Sequence, residues 1–148
     1  MYILVINNEL IQCGTFCFDE RCKEVSIDYD EYIYNQDKYI FVDGDFIIDP
    51  DYDEKQKEKE KERISHLKMT KRVCALMLQE LGVPYSQLKA EIAKSEDAQL
   101  EWDLCVELER SNPLINIIGA TFGLSPEQID QMFKYANGEV DSLEVANE

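Results

Sequence analysis

Residues 39–63 read YIFVDGDFIIDPDYDEKQKEKEKER, and within this stretch the chain changes from one kind of secondary structure to another. Tyr39-Ile40-Phe41-Val42 and Asp45-Phe46-Ile47-Ile48 are short β-favouring runs flanking Asp43-Gly44. That dipeptide takes positive φ angles that match the twist of paired strands, so a hairpin is predicted, closed by Pro50. From Asp53 to Arg63 the residues are Asp, Glu, Lys, Gln and Arg with no apolar stripe, which predicts a solvated helix. Asp53 and Glu54 with Lys57, and Glu58 with Lys61, favour it. Lys55 with Lys59 and Glu58 with Glu62 repel at four-residue spacing, so its stability must come from the structure at its ends.

Upstream the pattern stays β. Tyr2 to Ile6 is an apolar run, Asn7-Asn8 suits a tight turn, and Glu9 to Phe18 continues with β-favouring residues, giving a first hairpin. Val25 to Tyr29 reads as a third strand and Asp30 to Gln36 as a single helical turn.

Downstream the pattern is helical. Thr70 caps a segment carrying Val73, Leu76, Met77 and Leu81 on one face and stopped by Gly82-Val83-Pro84. Ser86 opens a shorter helix through Leu88 and Ile92. Residues 97–110 place Leu100, Leu104 and Leu108 along one line, widened by Trp102, Cys105 and Val106, the pattern of a central helix. Asn112-Pro113 restarts the chain, and Leu114, Ile117, Ile118 and Phe122 form a stripe ending at Gly123. Ser125-Pro126-Glu127-Gln128 supplies a cap, a first-turn proline and a Gln at the capping-box position, ahead of Ile129, Met132, Phe133 and Ala136 and the terminator Asn137-Gly138.

The expected fold is therefore α+β: a small N-terminal antiparallel β-hairpin domain at residues 1–50, a charged connecting helix at 51–68, and a C-terminal bundle of about five helices at 69–140. Residues 141–148 are expected to form a flexible tail. With 148 residues and 45% apolar content, the chain has enough material for a packed core.

Thirty-one acidic against fifteen basic residues leave a formal charge of −16, and the basic bias is confined to residues 51–72. Such a surface repels phosphate backbones and anionic lipid over roughly 8 Å at cell-like salt, so neither direct nucleic-acid binding nor membrane binding is expected. The N-terminal Met-Tyr-Ile-Leu-Val-Ile-Asn-Asn lacks a signal-peptide layout, and no apolar run approaches the roughly 20 residues that span a bilayer. Five cysteines, an odd number, fit reduced thiols in a cytoplasm.

Chemistry-bearing clusters are weak. Cys13, Cys17 and Cys22 have the wrong spacing for a zinc knuckle. Asp49, Asp51, Asp53 and Glu60 imitate a calcium-loop skeleton, but Glu54 stands where the loop needs glycine and Lys55 and Lys57 repel a cation. His66 is the lone histidine, so a Cys-His pair would need a cysteine from a distant element. The six glycines are dispersed and form no phosphate cradle. Val73 to Ile92 has a helix-turn-helix outline, yet its second helix offers only Lys89 and Lys94 against Glu91, so bundle packing is the better reading. No catalytic residue, metal or cofactor is expected. The aromatics Tyr29, Tyr32, Tyr34, Tyr39 and Phe41 serve either as a contact surface or as core of the small sheet.

Three phrases, Asp28-Tyr29-Asp30-Glu31-Tyr32-Ile33, Lys38-Tyr39-Ile40-Phe41-Val42-Asp43-Gly44 and Asp49-Pro50-Asp51-Tyr52-Asp53 before the Lys/Glu helix, resemble small proteins encoded near tail genes of phages and prophages of Gram-positive bacteria. The helical half is similar to the C-terminal part of the same group through Met69-Thr70-Lys71-Arg72-Val73, Gln99-Leu100-Glu101-Trp102-Asp103-Leu104 and Ser111-Asn112-Pro113-Leu114. The group has no catalytic motif to carry over. The resemblance implies a phage origin, a place in the bacterial host cytoplasm or in the virion, and a role in tail assembly or attachment.

Two non-enzymatic functions follow from these observations. One is a tail accessory or assembly factor that docks on another tail component or on a copy of itself. The other is an acidic counter-defence inhibitor of the anti-CRISPR kind, whose carboxylates occupy a basic nucleic-acid-binding site of a host protein. Candidate partner-binding residues are Asp28, Tyr29, Asp30, Tyr32 and Tyr34 in the first third, and Glu101, Asp103 and Glu107 as exposed acids of the central helix.

Overall fold

A computed structural model describes residues 1–6, 9–17 and 19–143. The expected turn at Asn7-Asn8, the end of the first hairpin at Phe18, and residues 144–148 of the expected tail lie outside them. The chain divides into two compact units, Met1–Glu58 and Lys59–Glu148.

In the first unit, β1 (Tyr2–Ile6) lies between β2 (Glu9–Gly14) and β3 (Lys23–Glu24), antiparallel to both, with a bulge at Leu4/Val5. Ile3, Leu4 and Val25 are its buried apolar residues. The third strand is shorter and earlier than Val25–Tyr29. The reason is local: the Asp28 carboxylate accepts from the Asp30 and Glu31 amides and starts α1 (Tyr29–Tyr34), which takes Tyr29 into a helix. After a 3-10 turn at Gln36–Lys38 come β4 (Tyr39–Val42) and β5 (Asp45–Ile48), paired antiparallel with Phe41 opposite Phe46. Asp43 at φ 51° and Gly44 at φ 84° form the expected turn. The Phe46 ring centroid is 4.7 Å from Tyr32 and 5.2 Å from Phe41, and Tyr32 is 6.3 Å from Tyr39, so α1 packs on the hairpin through rings.

Asp49 is buried. Its Oδ1 accepts from the Asp51 amide and its Oδ2 from Lys55 Nζ at 2.6 Å, so the carboxyl is held below its ordinary range, chiefly by the Lys55 hydrogen bond. The next element, α2 (Tyr52–Ser65), already contains Asp53 and Glu60, so the alternating acids do not form a cation loop. Among the described residues no group of three or more His, Cys, Asp or Glu side chains is placed to hold a metal ion. The α2 helix runs across the division between the two units. Its first turns belong to the first unit and its end to the second, where it buries Ile64 and where the Arg63 guanidinium clamps Glu60 and Glu139.

The second unit continues through β6 (Lys68–Thr70), α3 (Lys71–Glu80), α4 (Tyr85–Ile92), α5 (Glu96–Leu104), β7 (Glu107–Glu109), α6 (Pro113–Phe122) and α7 (Pro126–Ala136). Thr70 and Ser125 cap their helices as expected, Asn112 caps α6 where the chain restarts, and the Ser125/Gln128 capping box is complete. The fourth helix starts at Tyr85, one residue before Ser86. One core joins the five helices, with Cys74, Met77, Leu78, Leu88, Ile118, Met132 and Phe133 among its buried members. Leu143 packs against it, so the chain is still attached beyond the expected start of a tail at 141. No described helix is long and apolar enough to cross a membrane.

The central helix differs most from expectation. It ends at Leu104, with Cys105 extended, and Glu107–Glu109 pairs antiparallel with Lys68–Thr70, Leu108 opposite Met69. Val106-Glu107-Leu108-Glu109 alternates apolar and acidic residues, a period of two that suits a half-buried strand. Leu108 is fully buried there and Glu107 is not on a helix at all. Within α5 the inward face is Ala98 and Trp102, which leaves Leu100 and Leu104 outside. On α3 likewise Cys74, Met77 and Leu78 face in, while Leu76 is half exposed.

Candidate docking surface

The first expected patch is split by the fold. Asp28 is the N-cap of α1 and Tyr32 is packed among rings; burial also pushes its phenol upward in pKa. Tyr29 is half-buried, Asp30 is exposed, and Tyr34 stands 84% exposed. Of the five, Asp28, Asp30 and Tyr34 are exposed, Asp28 with its carboxylate engaged at the cap. Nearby, Glu31 accepts from Lys38 Nζ and Tyr39 Oη, both at 3.0 Å, and its pKa is lowered chiefly by the Lys38 bond.

The second patch centres on α5. Glu101 and Asp103 are exposed on the helix and Glu107 is exposed on β7. Helical spacing puts Leu100 and Leu104 three and seven residues after Asp97, on one face, and Val106 follows at the exit. Leu104 is 74% and Val106 78% exposed. A helix that hides Trp102 on one side while presenting leucines on the other has two apolar faces, and only one is covered within the described residues.

An open groove flanks each side of this helix. One, of about 650 Å³, is lined by Lys71, Arg72, Ala75, Leu76 and Gln79 of α3, Tyr85 of α4, and Trp102 and Asp103 of α5. Lys71 Nζ donates to the Trp102 carbonyl at 2.6 Å and the Asp103 carbonyl at 3.3 Å, capping the negative end of α5. The other, of about 370 Å³, runs between α5 and the start of α6 and is lined by Ser95, Asp97, Ala98, Glu101, Asn112, Pro113, Leu114 and Ile117. Asn112 Nδ2 donates to Glu101 Oε1 across it at 2.7 Å.

Burial pushes the Cys74 thiol up to about 12 and also raises Cys105, so both are protonated and poor nucleophiles at neutral pH. His66 Nδ1 lies 2.7 Å from Glu109 Oε1, at the end of α2 and away from either thiol in sequence; the His66 hydrogen bond is the main cause of a lowered Glu109 pKa. The arrangement is suited to binding: apolar surface between fixed acids. The sequence pattern places Glu101 and Asp103 on the helix but not Glu107, and it hides the grooves and the exposed leucines, because helical spacing reads Leu100 and Leu104 as core. The chain matches no family model, and neither a curated protein nor a solved structure matches it.

Proposed function

We propose that this protein works by docking another protein on the α5 surface, without catalysing a reaction, as an accessory or assembly factor of a phage tail. The observation that carries the docking reading is the exposed run Leu100, Leu104 and Val106 between two open grooves. Large side chains left in water beside acids are the anatomy of an interface, an apolar centre with a polar rim. The likeness to tail-associated phage proteins makes a tail component the first partner to test. Co-expression with phage tail proteins followed by size-exclusion chromatography is expected to give a complex, which Leu104→Asp with Val106→Asp abolishes without lowering the melting temperature. A complex that survives both substitutions would remove α5 as the docking surface.

The charge of −16 favours a second reading, the acidic counter-defence inhibitor. It predicts binding to a basic host nuclease that weakens steeply with salt. The interleaved leucines and Val106 weigh towards the first reading, because a phosphate mimic gains nothing from apolar side chains between its carboxylates.

A further inference from the structure

We propose that the groove between α5 and α6 seats a basic amphipathic helix of the partner protein, its apolar side on Pro113 and Ile117 and its Lys or Arg residues over Asp97 and Glu101. The inference rests on the docking reading and adds the chemistry of the ligand.

Three observations select this occupant. The groove walls are helices, whose backbone groups are already hydrogen-bonded within α5 and α6, so an added strand would find few partners along them, whereas a helix needs only side-chain contact. Pro113 and Ile117, four residues apart on α6, line the groove and are exposed, Ile117 at 55%, which offers apolar side chains at the spacing another helix packs against. The titratable side chains lining the groove are Asp97 and Glu101, and none of the described lining residues is cationic. The groove on the other flank of α5 is lined by Lys71 and Arg72 against Asp103, one cation in excess, and favours a basic ligand less. The field of a chain at −16 brings a basic helix in, and the sign of each groove decides where it settles.

The Asn112–Glu101 hydrogen bond fixes one acid of the site before any ligand arrives. Asp97, in the first turn of α5, remains exposed for the second ion pair.

The test uses the full chain and two synthetic helical peptides with the same leucine pattern, one flanked by lysines and one by glutamates, followed by amide chemical-shift mapping. The lysine peptide is expected to shift residues 95–101 and 113–117, to leave the Trp102 indole signal in place, and to weaken as salt rises. Asp97→Lys should weaken it about tenfold. Because Asp97 also supports the helix start, Ile117→Asp, at an exposed position, is the second variant and should weaken it at least as much. Equal binding of the glutamate peptide, shifts mapping to Lys71, Arg72 and Tyr85, or no binding of the lysine peptide would each overturn the inference. If a tail protein still binds and is lost with Leu104→Asp and Val106→Asp, the docking reading stands while this ligand falls; if those substitutions leave the complex intact, the docking reading falls too.

Discussion

Asn112 and Glu101 join two helices through one carboxamide: Nδ2 donates to Glu101 Oε1 at 2.7 Å, while Oδ1 accepts from the Leu114 amide at 2.9 Å. The first bond ties α6 to α5 and the second caps α6, so a single side chain both starts the helix and sets the mouth of the acidic groove. Asn112→Ala loses both and is expected to cost about 1 kcal/mol in urea denaturation. Asn112→Asp retains the capping oxygen but sets a carboxylate against Glu101, so it should be less stable than the parent. Equal stability of Asn112→Asp and the parent would show that the tie to Glu101 contributes nothing.

What was legible in the sequence was what local chemistry decides. Asp43-Gly44 and Ser125 to Gln128 act within four residues and were read correctly, as were the α+β division and the helical half. The end of α5 was not legible, because Leu100, Leu104 and Leu108 repeat at helical spacing and only a partner distant in sequence, Met69 on β6, makes Leu108 a strand residue. The grooves are hidden from the sequence for a related reason. Glu101 and Asp103 were picked out from a crowd of carboxylates, yet the grooves exist only once α3, α4 and α6 have packed around α5, and Glu107 left the helix with Leu108.

Leu104 and Leu108 make that distinction measurable. Leu108 on β7 is fully buried in the core, so Leu108→Ala should lose about 2–5 kcal/mol of stability. Leu104 is mostly in water, and Leu104→Ala should stay within about 0.5 kcal/mol. A continuous helix over 97–110 would put both on one line and predicts similar losses, so comparable denaturation midpoints for the two variants would contradict the strand at Glu107–Glu109.

Acid should loosen the end of α2 in a defined window. Arg63 donates to Glu60 at 2.7 and 2.9 Å and to Glu139 at 2.7 and 2.8 Å, and Lys134 Nζ lies 3.2 Å from Glu60. The Arg63 hydrogen bond, helped by Lys134, holds the Glu60 carboxyl down to about 2 from its ordinary 4.5. A carboxyl with a lower pKa folded than unfolded favours the fold in its charged form. That contribution is whole above pH 4.5 and is lost as pH falls towards 2. Melting temperatures measured down this range should fall less steeply for Glu60→Gln than for the parent, and parallel curves would exclude Glu60 as a contributor.

Gly119, buried in the middle of α6, faces Ile129 of α7. A Cβ built there would collide with Ile129 Cδ1, the tip of a buried side chain, and lie near the Leu124 carbonyl at 3.7 Å. Exposed glycines in helices usually gain stability when changed to alanine, by about 1 kcal/mol. Here the overlap reverses the sign, and Gly119→Ala should cost about 1–3 kcal/mol through forced displacement of Ile129. Ile129→Val removes the offending methyl, so the double variant Gly119→Ala with Ile129→Val should be more stable than the sum of the two single losses predicts. Additive denaturation energies in this double-mutant cycle would mean that the two residues do not meet, and that α6 and α7 pack by a different register.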